Sequence, residues 1–446
     1  WLAPYHQGVK CYDRQGKLLH SYHTGNSLLQ TNVVLSLAEN NGQIWIGTDG
    51  SGIYILNPEN DEISTIAHAP GNPYSLPVNS ILCLYSDSNN NMWAGSVRGG
   101  LINIREVGMK IYSDALPGTE YGLSEKAVLS IYQGEEKDIW IGTDGGGINR
   151  FYPDDNRFYH TKSTWGDKIS SITEVDKRHL LVSLFSKGLF FFDKQTEEYR
   201  PLIIVNDSIN ALLCQRGKAV NIFRNTQETV LLLSEMPYSY HIEKKEFTPI
   251  PLDKHTPVVV GTILPICQNG PISYLHDIKR IYRIDSRTNR LETLYHCTGD
   301  TIFNTVSVDE NGIFWIGSNY GLSRYSAEKH EHVNIPNKLI NEINSLICDR
   351  RGRVWIGTDG KLFAHLIHEG EFILYGESDG VIQNEYLEKP RLLSAEGDIY
   401  MGGVNGLLCI DKQLPDEDTV PPVLELADVA VGGEQMNAFI KNGRSL

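Results

Sequence analysis

Short apolar runs separated by polar turns recur along the whole chain, and one run in each unit carries a tryptophan. Ile44-Trp45-Ile46-Gly47, Ile139-Trp140-Ile141-Gly142, Phe314-Trp315-Ile316-Gly317 and Val354-Trp355-Ile356-Gly357 are apolar or small throughout, and Trp93-Ala94-Gly95 is a close variant. Such runs predict strands buried on both faces. An earlier apolar run precedes each, such as Ile81-Leu82-Cys83-Leu84, separated by a polar turn such as Asp309 to Gly312 or Asp349 to Gly352. Asn41-Gly42 and Asn311-Gly312 suit tight hairpins because both residue types tolerate positive φ. A third run follows, such as Leu101 to Ile104, and a fourth, such as Arg157 to His160. Each unit therefore predicts four short strands. No long stripe of period 3.6 is present, so little helix is expected.

The spacing of the units predicts how they assemble. Trp1, Trp45, Trp93 and Trp140 are 44, 48 and 47 residues apart, and Trp315, Trp355 and Tyr400 follow at 40 and 45. A period of about 40–50 residues with four strands per unit is that of a β-propeller blade. The interval from Trp140 to Trp315, 175 residues, leaves room for three units that have lost the tryptophan. Leu181 to Gly188 keeps the spacing without the indole, and Phe191 to Tyr199, Tyr240 to Phe247 and Tyr282 to Leu291 read as outer hairpins. The tryptophans are expected to fill the space between blades, and the glycine two residues after each to let the next blade approach.

Ten units, the first already under way at Trp1, exceed the four to eight of a usual ring. Division into three and seven is simpler. The expectation is an all-β chain: residues 1–119 as the last blades of one propeller, and 120–417 as a complete seven-bladed β-propeller of four-stranded blades. A different pattern begins at 418.

Composition narrows the partners. A net charge of −15 argues against nucleic acid or an anionic membrane surface, both of which need basic patches. No apolar run has the length of about 20 residues that spans a bilayer. Seven cysteines form no Cys-x-x-Cys pair, and most sit in apolar runs, so they are expected as small core residues. Gly145-Gly146-Gly147 is followed by a strand rather than a helix, which argues against a phosphate loop. Asp87 to Asn91 lacks the bidentate glutamate of a calcium loop and occupies a repeated hairpin position. His330 and His332 alternate near an outer strand, where solvated residues are commoner than metal ligands. No catalytic signature, metal set or cofactor motif is expected.

Departures from the repeat point to function better than the repeat does. The turn after the tryptophan strand usually reads Thr-Asp-Gly. It becomes Val97-Arg98-Gly99, Phe185-Ser186-Lys187, Asn319-Tyr320 and Val404-Asn405 in four units. These turns share one rim with the blade-to-blade connections, one of which contains Thr164-Trp165-Gly166. Arg98, Trp165, Lys187, Asn319, Tyr320 and Asn405 are the candidate ligand contacts, suited to hydrogen bonding and stacking on a sugar.

Trp140-Ile-Gly-Thr-Asp-Gly-Gly-Gly-Ile-Asn-Arg-Phe151 closely resembles the two-component regulator propeller repeat. Gly380 to Tyr386 with Asp398 to Leu407 resembles that family's last blade, and Pro421 to Val431 resembles the first strand of the Ig-like Y_Y_Y domain. The resemblance implies the start of an Ig-like β-sandwich over 418–446 and a periplasmic sensor region of a hybrid two-component system. It implies an oligosaccharide ligand, a homodimer in the full-length protein and signalling to a histidine kinase across the inner membrane. The membrane is met only through a helix beyond this chain, and this portion is expected not to be an enzyme. A polysaccharide or streptogramin lyase-like propeller enzyme and a protein-interaction platform are the alternatives.

Overall fold

A computed structural model describes residues 1–414, apart from Pro73, Asn89, 106–107, 203–219, Glu235 and 253–262, together with Ala430–Val431 and Glu434–Gln435. The chain divides into two compact units, Trp1–Lys412 and Gln413–Leu446. In the second, the described residues form one antiparallel pair, Ala430–Val431 with Glu434–Gln435. The rest of the segment expected to begin an Ig-like domain, and Cys214, lie outside the described residues.

The first unit is all-β. Its described helical residues are two 3-10 turns, Lys162–Thr164 and Glu377–Asp379. Strands Val9–Tyr12 and Leu18–Tyr22 form a two-stranded sheet, Val34–Asn40 to Ile63–Ile66 a four-stranded one, and Ile81–Ser86 to Gly100–Ile104 a three-stranded one. Six four-stranded meanders follow, beginning at Val128, Ile169, Asn221, Leu264, Phe303 and Ser345. Three of them occupy the interval without tryptophan. A seventh sheet combines Tyr386–Leu393, Ile399–Gly403 and Gly406–Ile410 with a strand from far upstream, Met109–Tyr112. Each inner strand contacts the next in order, and the last, Tyr386–Leu393, contacts the first, Val128–Gln133. The seven sheets therefore close into a ring.

That closure corrects the expected boundary at residue 120. Met109 pairs with Ile410, Lys110 with Cys409, Ile111 with Leu408 and Tyr112 with Leu407. The outer edge of the last sheet would be an unpaired strand without this segment. The ring is thus clasped by residues from the stretch assigned to the preceding blades. The hydroxyl of Tyr74 donates to Ile111 O (3.2 Å) and accepts from Ile111 N (2.6 Å), tying the N-terminal sheets to the clasp.

The tryptophan strands are buried as their composition dictates. Every residue of Ile139–Thr143 and Ile399–Gly403 is buried. Trp140 packs with Ile169, Leu180, Val182 and Phe192 of the next sheet, and Trp315 with Leu346, Val354 and Phe363. Trp1 differs: it is exposed and stacks loosely on Tyr22 at 6.1 Å. The glycine two residues on is where neighbouring sheets touch. A Cβ on Gly142 would lie 2.6 Å from Ile169 O, on Gly317 2.5 Å from Ile343 Cγ2, and on Gly357 2.6 Å from Tyr386 Cβ. Any larger side chain would push the sheets apart.

The polar turn before each tryptophan has a structural task. Asp309 Oδ1 accepts from the N–H groups of Asn311 (2.9 Å) and Ile313 (3.0 Å), and Oδ2 accepts from Trp315 Nε1 (2.9 Å). Asp349 repeats this with Arg351 N, Arg353 N and Trp355 Nε1, and Asp87 with Asn91 N and Trp93 Nε1. One carboxylate so closes the turn and satisfies the buried indole. Where the aspartate is replaced, by Gly134 before Trp140 and Glu39 before Trp45, the indole N–H has no partner. Asp309→Ala is expected to cost about 1–3 kcal/mol, because buried donors lose their acceptor. Equilibrium urea unfolding checks this, and an unchanged midpoint would show the turn carboxylate to be dispensable.

Of the described cysteines none is disulfide-bonded. Cys297 and Cys348 are buried as expected, whereas Cys83 is exposed on its inner strand.

Candidate functional site

The turns after the tryptophan strands dock at one recurring place. The backbone N–H of Asp144 donates to Ala127 O (2.9 Å), Phe185 to Lys168 O (3.0 Å), Asn319 to Ile302 O (3.2 Å) and Val404 to Glu385 O (3.0 Å). Each acceptor stands just before an inner strand, so the turns and the connections lie on the same rim. Val97 makes the equivalent bond to Ser80 O (2.9 Å) in a sheet outside the ring.

The six sequence candidates fall into separate groups on these rims. Arg98 is an exposed residue with φ +67° on the N-terminal three-stranded sheet. Trp165 is 56% exposed and follows the 3-10 turn between the first two ring sheets. Lys187 pairs with the carboxylate of Asp167, two residues from Trp165, so these two candidates share one neighbourhood. Asn319 is committed internally: its Oδ1 accepts from Ile302 N (2.8 Å) and its Nδ2 donates to Asp300 O (3.2 Å). Its neighbour Tyr320 is 69% exposed. Asn405 lies in the last ring sheet, where its N–H donates to Asn384 Oδ1 (2.9 Å).

Tyr320 stands on a groove of about 980 Å³. Asn334, Asn337, Lys338 and Asn341 supply amides and an ammonium to its wall, and Tyr295 and His332 supply ring faces. Those two rings stack at 5.4 Å, and burial holds the imidazole of His332 below its usual range, hence neutral at pH 7. Flat apolar faces beside amide donors and acceptors suit a polyhydroxylated ligand.

A second cavity, about 770 Å³, lies on the ring axis and is lined by all seven inner strands. Serines bind these strands to each other. Ser130 Oγ donates to Ile169 O (2.9 Å), Ser171 Oγ accepts from Ile222 N (3.0 Å) and Ser307 Oγ accepts from Cys348 N (3.1 Å). Four of these inner strands carry a one-residue irregularity, between Val128 and Ser130, Ile169 and Ser171, Pro265 and Cys267, and Phe303 and Thr305. The last inner strand departs from this. Tyr386 pairs with Gly403 and Arg391 with Met401, so Leu387 to Pro390 all stand opposite Gly402. The enlarged bulge brings Glu388, Lys389 and Arg391 into the axial cavity. Arg391 reaches two other sheets, donating to Leu346 O (2.9 Å) and Val306 O (2.5 Å).

This charged cluster was missed by ranking only the turns. Its signal was nonetheless in the sequence: Glu388-Lys389-Pro390-Arg391 occupies a first-strand position where Val128 to Ile131 reads Val-Leu-Ser-Ile.

Comparison with known proteins places this architecture. Residues 27–50, 75–98 and 338–360 match the repeat family described as two component regulator propeller. The extracellular domain of BT3049 from B. thetaiotaomicron, described as a hybrid two component system, superposes with a TM-score of 0.64 at 17% identity, covering 96% of this chain and 59% of that one. The corresponding domain of BT4673 from the same organism gives 0.52 at 18% identity, covering 90% and 56%. Histidine kinase P4 of Formosa agariphila is 24% identical over 124 residues, 26% of this chain and 9% of that protein. The chain thus spans little more than half of the solved domains and a small part of the curated relative.

Proposed function

We propose that this chain, built of two-component regulator propeller repeats on the fold of hybrid two-component extracellular domains, is the ligand-sensing region of such a system. The observation that carries the reading is that one chain has both the repeats and, over nearly its whole length, the fold. The ligand is an oligosaccharide, held on the rim bearing Trp165, Lys187, Tyr320 and Asn405, with the Tyr320 groove as its principal contact. Asn319 supports that groove by fixing its loop. The region stands in the periplasm and acts within a dimer of the full-length protein. Binding passes the signal by favouring one dimer arrangement. To move an equilibrium from about 1:99 to 99:1, the sugar must bind the favoured arrangement about 10⁴-fold more tightly.

A thermal-shift screen of the chain against defined oligosaccharides, with sugar products quantified in the same wells, tests this. One intact glycan is expected to raise the unfolding temperature saturably, since a native-state ligand at about 100 times its Kd stabilises by about 2.7 kcal/mol. Tyr320→Ala is expected to weaken that shift without altering the unliganded midpoint. Breakdown of the sugar would overturn the non-enzymatic reading.

A further inference from the structure

We infer that the axial cavity of the ring is a binding site for a small anionic ligand, with Lys389 as the group that meets the ligand's charge. The site is distinct from the rim groove, and the inference stands whether or not the chain signals.

Charge is the first argument. The whole chain carries −15, yet the cavity wall holds Arg224, Lys389 and Arg391 against one carboxylate, Glu388. A cationic pocket in an anionic protein focuses a local field that attracts anions.

The second argument is how those cations are bonded. Arg391 donates to carbonyls of Leu346 and Val306, and Arg224 to carbonyls of Glu174 (2.9 Å), Thr226 (3.3 Å) and Gln227 (3.3 Å). These bonds fix the guanidiniums through neutral carbonyls, so the one carboxylate of the wall, Glu388, is left to face three cations. Lys389 has no hydrogen bond or ion pair among the described residues, although it faces the cavity. The Glu388 carboxylate acts on it only at longer range, and a half-buried ammonium without a direct hydrogen-bonded counter-charge is costly. Burial holds the Lys389 amine below the usual lysine range and pushes the Glu388 carboxyl up. Both shifts fit a cavity in which an anion would stabilise the ammonium.

The third argument is construction. A cavity of about 770 Å³ falls within the range of about 300–1,000 Å³ typical of small-molecule sites. The cluster exists because the last inner strand bulges by four residues opposite Gly402. Pro390 has no N–H to offer a ladder and so belongs in such a bulge. Ser130, Ser171 and Ser307 are spent on neighbouring strands, so the bulge is what adds Glu388, Lys389 and Arg391 to Arg224 on the wall.

Ligand-directed labelling of the intact chain tests the proposal. Pyridoxal 5′-phosphate, an anionic aldehyde, forms an imine with a free amine with loss of water, and added borohydride reduces the imine to a stable secondary amine located by peptide mass spectrometry. Lys389 is expected to label several-fold faster than the exposed Lys137, and faster than with pyridoxal, which lacks the phosphate. Inorganic sulfate and digalacturonate are expected to slow labelling at Lys389 and leave Lys137 unaffected. Protection by digalacturonate at lower concentration than sulfate identifies a sugar-borne carboxylate as the ligand chemistry, and the reverse order a free oxyanion. Equal labelling by pyridoxal and its phosphate, or labelling at Lys389 that neither anion slows, would falsify the site. Lys389→Met, with an unchanged unfolding midpoint, is expected to abolish the anion-protected label.

Discussion

Replacing Trp355 by alanine is expected to lower the stability of the ring by about 3–5 kcal/mol, the cost of deleting a large buried aromatic side chain. Trp355 is fully buried. Its Nε1 donates to Asp349 Oδ2 at 3.0 Å, the Arg353 guanidinium lies 5.1 Å over its ring, and Tyr375 packs at 5.2 Å. Arg353 Nε also donates to Asp349 Oδ2 (2.6 Å), so indole, guanidinium and carboxylate form one unit. Alanine removes the filled volume and takes one donor from that carboxylate. Trp355→Phe retains most of the volume and loses the donor, so about 1–2 kcal/mol is expected. Trp165→Ala, which deletes an exposed indole of the same size, is expected to stay within about 0.5 kcal/mol. Urea unfolding midpoints compare the three. Equal midpoints for Trp355→Ala and Trp165→Ala would show that the repeat tryptophans do not hold the sheets together.

The same asymmetry explains what could be read from the sequence. The repeat is a packing signal. An indole and a glycine two residues apart recur because every pair of neighbouring sheets presents the same gap to be filled and the same close approach. Strand content, the units without tryptophan between Trp140 and Trp315, and the role of Gly142 were therefore legible. The clasp was not, because Met109–Tyr112 pairs with a strand almost three hundred residues later, and its own sequence looks like the outer strand of the unit before it. Nothing local distinguishes a strand that completes its own sheet from one that completes a distant sheet.

Candidate site residues were legible in proportion to how far they depart from the repeat on the side where the departure was sought. Tyr320, where the turn departs from Thr-Asp-Gly, is exposed on a groove. Asn319, from the same turn, is used to fix its loop, since an asparagine can serve the backbone as readily as a ligand. The axial cluster depends on a change in register, which sequence spacing shows only as a slightly longer first strand. Whether Glu388, Lys389 and Arg391 face the axis depends on how the bulge is accommodated opposite Gly402, and that is a property of the closed ring.

Gly402→Val is the second large effect, expected to cost about 3 kcal/mol, the upper part of the range for overpacking. A Cβ at 402 would lie 2.7 Å from Val128 Cγ1, 2.8 Å from Val128 Cβ and 2.8 Å from Pro390 Cβ. Val128 begins the first ring sheet and Pro390 belongs to the bulge of the last, so the added side chain acts as a wedge at the seam. Neither neighbour can swing aside: Val128 is wholly buried and Pro390 has a closed ring. The relief available is separation of the first and last sheets, which are also joined through Met109–Tyr112, a strand that pairs with the last sheet and whose Tyr112 packs on Phe151 and Phe158 of the first. Hydrogen exchange should therefore report the damage locally. Amides of 109–112 and 128–133 are expected to lose protection first, while the sheets beginning at Leu264 and Phe303, on the far side of the ring, keep theirs. Gly376→Ala is the matched control, since no atom lies within 4 Å of a Cβ there and its φ is −141°. Uniform loss of protection around the ring would mean that it unfolds as one body rather than opening at a seam. Local loss would show that closure depends on the contact at Gly402, and that the bulge bearing Lys389 is coupled to the joint it stands beside.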